Sequence, residues 1–100
     1  MQIIPLLQED SQSLSVVLAQ QNCKLNIYQK SMGLFLDLLV NGSPIIQTKI
    51  CRDRVKLVRY PYLGFIGDLC FMDTEGVDDP QSTGLGSRWV LMYLEAGIDV

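Results

Sequence analysis

Gly33-Leu-Phe-Leu-Asp-Leu-Leu-Val-Asn-Gly-Ser-Pro-Ile-Ile-Gln-Thr-Lys-Ile50 is the stretch that decides the fold class. Its first half is ambiguous, because leucine at the density of Leu34, Leu36, Leu38 and Leu39 suits a helix as well as a strand. Asn41-Gly42 removes the ambiguity: a two-residue type I′ hairpin needs positive φ at both central positions, and Asn-Gly is the pair that supplies it at least cost. Leu34, Leu36, Leu38 and Val40 then share one face, Phe35, Asp37 and Leu39 take the other, and the β-branched run Pro44–Ile50 pairs back across the turn.

The same period continues toward the N-terminus. Cys23, Leu25 and Ile27 oppose Lys24, Asn26 and Tyr28; before them Leu14, Val16 and Leu18 alternate with Ser13, Ser15 and Val17. The turns between these strands are read at Gln20-Gln21-Asn22 and at Gln29–Met32 with Gly33. Ser13 through Cys51 is thus a four-strand meander with one apolar face, which needs a lid. Met1–Leu7 is an extended apolar lead-in whose Pro5 belongs on an edge strand or just before one.

On the C-terminal side, Pro61 fixes its own φ and pushes Tyr60 toward extended geometry, so Tyr60–Leu63 reads as a rigid corner. Tyr60, Tyr62, Leu63 and Phe65 carry more apolar surface than a solvated loop usually does; the residues favour a cap on the domain's own core over contact with a neighbouring subunit. Cys51–Val58 reads either as a short exposed strand or as one turn of helix. Leu69 and Phe71 alternate with Cys70 and Met72 in a further strand, and Asp73–Gly86 is a long polar loop. In Ser87–Glu95, Trp89, Leu91 and Tyr93 oppose Arg88, Val90, Met92 and Leu94. With both faces apolar, this is a central strand or one covered by a partner. The expected fold is all-β: one domain over residues 1–100, a small β-barrel or sandwich of six to seven strands built from a hairpin meander.

Composition narrows the function classes. No apolar run approaches the roughly 20 residues of a membrane span, and Met32–Val40 is broken by Gly33 and Asp37. The N-terminus lacks a basic n-region, so the expectation is a soluble chain that stays in the cytosol where it is made. Cys23, Cys51 and Cys70 sit in apolar alternation, as buried free thiols do in a reducing compartment. There is no CxxC pair and no histidine, which removes the commonest zinc ligand pattern and the commonest general base; no catalytic group, metal or cofactor is expected. Asp73, Glu75, Asp78 and Asp79 do not follow EF-hand spacing, and Gly84-Leu-Gly86 precedes a strand, so it is a turn.

The charges are lopsided: Lys49, Arg52, Arg54, Lys56 and Arg59 form a basic block, followed by the acidic block Asp68, Asp73, Glu75, Asp78 and Asp79. The basic run beside Tyr60 and Tyr62 would suit a small barrel that binds single-stranded nucleic acid. Against this stand the net charge of −3 and the adjacent acidic loop. A charged strand edge that resists aggregation is favoured; charges that set register against a neighbouring subunit are a third reading.

The order of several motifs resembles a known family. Ile3-Ile-Pro-Leu6, the meander with Gly33-Leu-Phe-Leu-Asp37, Tyr60-Pro-Tyr-Leu-Gly-Phe65, Asp79-Pro80 and Leu85-Gly-Ser-Arg88 before an aromatic closing strand are similar to the baseplate plug proteins of contractile-tailed bacteriophages, of the cyanophage type. The resemblance runs along nearly the whole chain; the Lys49–Arg59 segment and the leucine-rich third strand depart from it. It implies a virion protein assembled in the host cytoplasm, a structural subunit near the tail axis that packs with hub and spike proteins and with the tail tube or its initiator, in three or six copies. It also places subunit contacts at the corner (Tyr60, Pro61, Tyr62, Leu63, Phe65), the acidic loop (Asp78, Asp79) and the last strand with its entrance (Arg88, Trp89, Tyr93). The competing class is the free-standing module for single-stranded nucleic acid.

Overall fold

A computed structural model describes residues 2–59 and 65–95. The strands are β1 (Gln2–Ile4), β2 (Ser11–Leu18), β3 (Gln21–Lys30), β4 (Gly33–Val40), β5 (Ser43–Ile50), β6 (Asp68–Asp73) and β7 (Trp89–Leu94). They form two antiparallel sheets, one in the order β2-β3-β4-β5 and one in the order β1-β7-β6. Among the described residues the two sheets do not join into a closed barrel, so of the two all-β architectures the sequence allowed, the sandwich is the one that fits.

The meander appears as read. Asn41 (φ 51°) and Gly42 (φ 83°) turn β4 into β5, with Val40 opposite Ser43 and Leu39 opposite Pro44. The first hairpin differs by a residue or two: its turn is Ala19-Gln20, both at positive φ, and Gln21 already pairs with Leu18. Inward-facing Leu25, Ile27, Leu34, Leu36 and Leu38 meet Ile4, Leu69, Phe71, Trp89, Leu91 and Tyr93 from the second sheet in one apolar core. At about 1.5–3 kcal/mol for each large side chain removed from water, this burial is the main force holding the sheets together.

β7 is the central strand of its sheet, flanked by β1 and β6, and all its residues but half-buried Val90 are buried. Pro5 follows β1 instead of preceding it, at the edge where a missing N–H costs no ladder bond. The 51–58 segment is neither a strand nor a turn of helix. It runs irregularly along the open side of β6, held by Arg54 N–H to the Phe71 carbonyl (2.7 Å) and Leu57 N–H to the Leu69 carbonyl (2.9 Å), with Leu57 and Val58 buried. Asp68 fixes its end: one carboxylate oxygen accepts from Val58 N–H and the other from Arg59 N–H, at 2.8 Å each. The corner Tyr60, Pro61, Tyr62 and Leu63 lies outside the described residues.

Candidate interaction surfaces

The acidic loop is organised around Asp73, the last residue of β6, whose carboxylate is buried. Arg88 Nε and Nη2 donate to its two oxygens at 2.9 Å each. Glu75 and Asp78 N–H groups add 2.9 Å bonds to the same carboxylate, which curls the loop back over the strand end. The Arg88 hydrogen bonds hold the Asp73 carboxyl well below the usual carboxylate range despite its burial, and the two N–H donors act in the same direction. Arg88 also binds Asp78 (2.8 Å) and lies over the Trp89 ring, 4.5 Å from its centroid. Trp89 Nε1 donates to the Asp78 carbonyl at 3.0 Å.

The two oppositely charged blocks of the sequence meet within the chain. Arg52 pairs with Asp79 (3.2 Å) and Arg54 with Asp53 (2.5 Å), while the Arg54 guanidinium also donates to the Gly76 and Asp73 carbonyls. The Arg52–Asp79 pair is more than half exposed on both sides, so it adds little stability. It does turn Arg52 onto the acidic loop and away from any phosphate-tracking stripe. This pairing counts against a continuous basic groove for nucleic acid.

Two buried polar residues not singled out in the sequence tie the sheets together. Ser82 Oγ donates to Asp10 (2.6 Å), and its N–H donates to the Gln29 side chain (2.9 Å). At the other end of the sandwich, Gln21 accepts from Ile66 N–H (3.0 Å) and donates to the Leu18 and Ile66 carbonyls (3.0 and 3.2 Å). Tyr93 Oη donates to the same Ile66 carbonyl, and its ring meets Phe65 edge-on, with centroids 5.9 Å apart.

Of the contact residues expected from sequence, Phe65, Trp89 and Tyr93 are 3%, 5% and 3% exposed and pack inside the chain. For Phe65 this is the core-capping role that the residues favoured. Asp78 and Asp79 are exposed, Arg88 is half-buried, and the three stand together through the loop's ion pairs. All three cysteines are buried. Burial pushes the Cys51 thiol far up and the Cys70 thiol up to about 11, with Asp53 and Asp68 adding to the latter. Such thiols are poor nucleophiles. Among the described residues, no group of three or more His, Cys, Asp or Glu side chains is placed to hold a metal ion.

The outer face of the four-stranded sheet carries a stacked pair, Tyr28 and Phe35, with centroids 6.0 Å apart. Lys30 lies over the Tyr28 ring, whose hydroxyl donates to Asp37 at 3.1 Å. Beside it the β2 edge is open. Asp10 accepts from Gln29 N–H (2.7 Å), and Asn22 on β3 gives its carbonyl to Asn41 on the far side (2.9 Å). With ladder bonds alternating along an antiparallel pair, Gln12, Leu14, Val16 and Leu18 bond to β3, while Ser11, Ser13, Ser15 and Val17 aim their backbone groups outward.

Compared with known protein families, residues 1–96 match the model described as the cyanophage baseplate Pam3 plug gp18. No individually curated protein matches the chain.

Proposed function

Because the chain belongs to the cyanophage baseplate plug family, we propose that it is a structural subunit of a contractile phage tail baseplate that helps to close the tail tube before contraction. The observation that carries this reading is the extent of the match, which takes in both sheets, the clamped acidic loop and the corner. The physical chemistry is compatible with it. Arg52, Arg54 and Arg88 are tied into intramolecular ion pairs, the thiols are buried, and one apolar core joins the two sheets, as suits a part assembled once and held under load.

In this reading the plug packs near the tail axis against hub and spike proteins and the tube or its initiator, in three or six copies, after assembly in the host cytoplasm. The contact surfaces are the Tyr60–Leu63 corner and the exposed part of the loop at Asp78, Asp79 and Arg88. Trp89 supports the loop surface from within, under Arg88 and bonded to the Asp78 carbonyl.

Light scattering of the purified chain, alone and mixed with recombinant hub and spike proteins of the same phage, tests this at low and high salt. A complex that survives high salt is expected, because an apolar structural interface is screened weakly. A chain that ignores both proteins and instead binds a fluorescent single-stranded oligonucleotide in a salt-sensitive way would overturn it.

A further inference from the structure

The sandwich protects its sheet edges unequally. β5 carries Pro44 and a register break with Thr48 at positive φ (52°). β6 is covered by the 53–57 segment. β1 is three residues long and ends at Pro5. These are the usual devices that stop edges from recruiting other strands. β2 has none of them: eight residues, Ser-Gln-Ser-Leu-Ser-Val-Val-Leu, with no charge, no proline and unbroken register against β3. The Gln12 side chain holds Leu7 through its backbone, but the outward N–H and C=O groups of Ser11, Ser13, Ser15 and Val17 have no hydrogen-bond partner among the described residues.

We propose that β2 is the pairing edge for a second copy of this chain, in an antiparallel two-fold contact centred on Leu14. The register follows from the sequence. With Leu14 opposite its own copy, Ser13 faces the partner's Ser15, Ser11 faces the partner's Val17, and all the outward backbone groups of both strands find each other. Every outward-facing residue is thereby matched to another outward-facing residue, as antiparallel pairing demands. On the core side, half-buried Leu14 and Val16 gain cover from the partner's Leu14 and Gln12. On the other side, small serines oppose small side chains without crowding the Ser13–Asn26 hydrogen bond.

Charge selects the antiparallel direction. Glu9 and Asp10 precede β2, and this register sets Asp10 against the partner's Leu18 and Glu9 against its uncharged Ala19 turn. A parallel pairing would put the acids of both copies side by side. The result is one continuous eight-stranded sheet across two sandwiches. The inference is independent of the baseplate reading and concerns the free protein, since a two-fold of this kind reverses the direction of a tail axis it does not lie on.

The test joins stoichiometry to geometry. Light scattering across a concentration series is expected to show a monomer passing to a dimer. Leu14→Cys brings two thiols together across the two-fold at about 4.5 Å between Cα atoms, within disulfide reach. It is expected to cross-link under mild oxidation roughly tenfold or more faster than Val16→Cys, whose copies lie about 14 Å apart in this register. Hydrogen exchange on the unmodified protein supplies a readout free of variants: amides of Ser11, Ser13, Ser15 and Val17 become protected as concentration rises, whereas those of Gln12, Leu14 and Val16 are protected throughout. A monomer at every concentration, equal cross-linking of the two variants, or fast exchange at the four outward amides in the concentrated protein would each overturn the proposal.

Discussion

Arg88 grips Asp73 through two parallel hydrogen bonds of 2.9 Å, from Nε to one carboxylate oxygen and from Nη2 to the other. The aspartate ends β6 and the arginine stands just before β7, so one bidentate pair closes the loop between the two strands. A planar fork against a carboxylate fixes orientation as well as charge, which lysine at position 88 could not reproduce.

Asp73→Asn is therefore expected to lower the melting temperature by roughly 10 °C or more, since it leaves Arg88 without its buried partner. Exposed Glu75→Gln is expected to change it little. The pH dependence has a defined sign. The folded Asp73 carboxyl titrates below its unfolded value, so its stabilisation is fully present above about pH 4 and is lost as the pH falls from there toward the folded value. Thermal unfolding followed from pH 7 to pH 2 is expected to show this acid limb in the unmodified chain and a shallower one in Asp73→Asn.

Gly84→Ala tests the packing beneath the same loop. Gly84 is buried in the short 3₁₀ turn Ser82–Gly84, and a Cβ there would run into the six-membered ring of Trp89. The ring cannot retreat without releasing Arg88 from its face and the Asp78 carbonyl from its N–H. Overpacking of this kind costs about 1–3 kcal/mol. Chemical denaturation followed by tryptophan fluorescence is expected to show that loss, together with an altered native emission; a midpoint and spectrum equal to those of the unmodified protein would show that the loop yields freely.

What could be read from the sequence was local. Asn41-Gly42 specifies its turn by backbone preference alone, and the alternation from Leu14 to Val40 reports one buried face because each strand pairs with its neighbour in the chain. The Ala19-Gln20 turn was not legible: neither residue favours positive φ, and the turn is imposed by the register of the strands on either side. The 51–58 segment escaped for a related reason, since its partners Leu69, Phe71 and Asp68 lie ten or more residues further on. The charged blocks were visible as composition, yet the Arg52–Asp79 pair that joins them depends on the loop folding back, which no spacing rule encodes. Asp73 looked like one acid among several in a solvated loop. Only the position of Arg88 across β6 and β7 makes it the centre.

Gln21 is expected to be the most sensitive polar position at the opposite end. Its amide satisfies Ile66 N–H and the Leu18 and Ile66 carbonyls together. Gln21→Ala leaves the Ile66 N–H without its acceptor, while the Ile66 carbonyl keeps its bond from Tyr93 Oη, at about 1 kcal/mol or somewhat more. Gln21→Glu is expected to be worse, because a carboxylate cannot donate to the two carbonyls it would then face. Hydrogen exchange at the Ile66 amide provides the local readout: it is expected to accelerate in both variants more than at Leu91 in the centre of β7.

The thiols provide a global readout of the same core. Cys51 and Cys70 are 1% and 0% exposed, and burial raises both thiols far enough that almost no thiolate is present at pH 8. Reaction with a disulfide reagent such as dithiobis(nitrobenzoic acid) requires both thiolate and access, so native protein is expected to react at Cys51 and Cys70 only as fast as the sandwich opens. All three cysteines are expected to react at once in denaturant. In Asp73→Asn and Gly84→Ala, Cys70, which lies in β6 with Asp73, is expected to gain reactivity in step with the measured loss of stability. Rapid labelling of Cys70 in the native, unmodified chain would mean that β6 opens without the rest of the core.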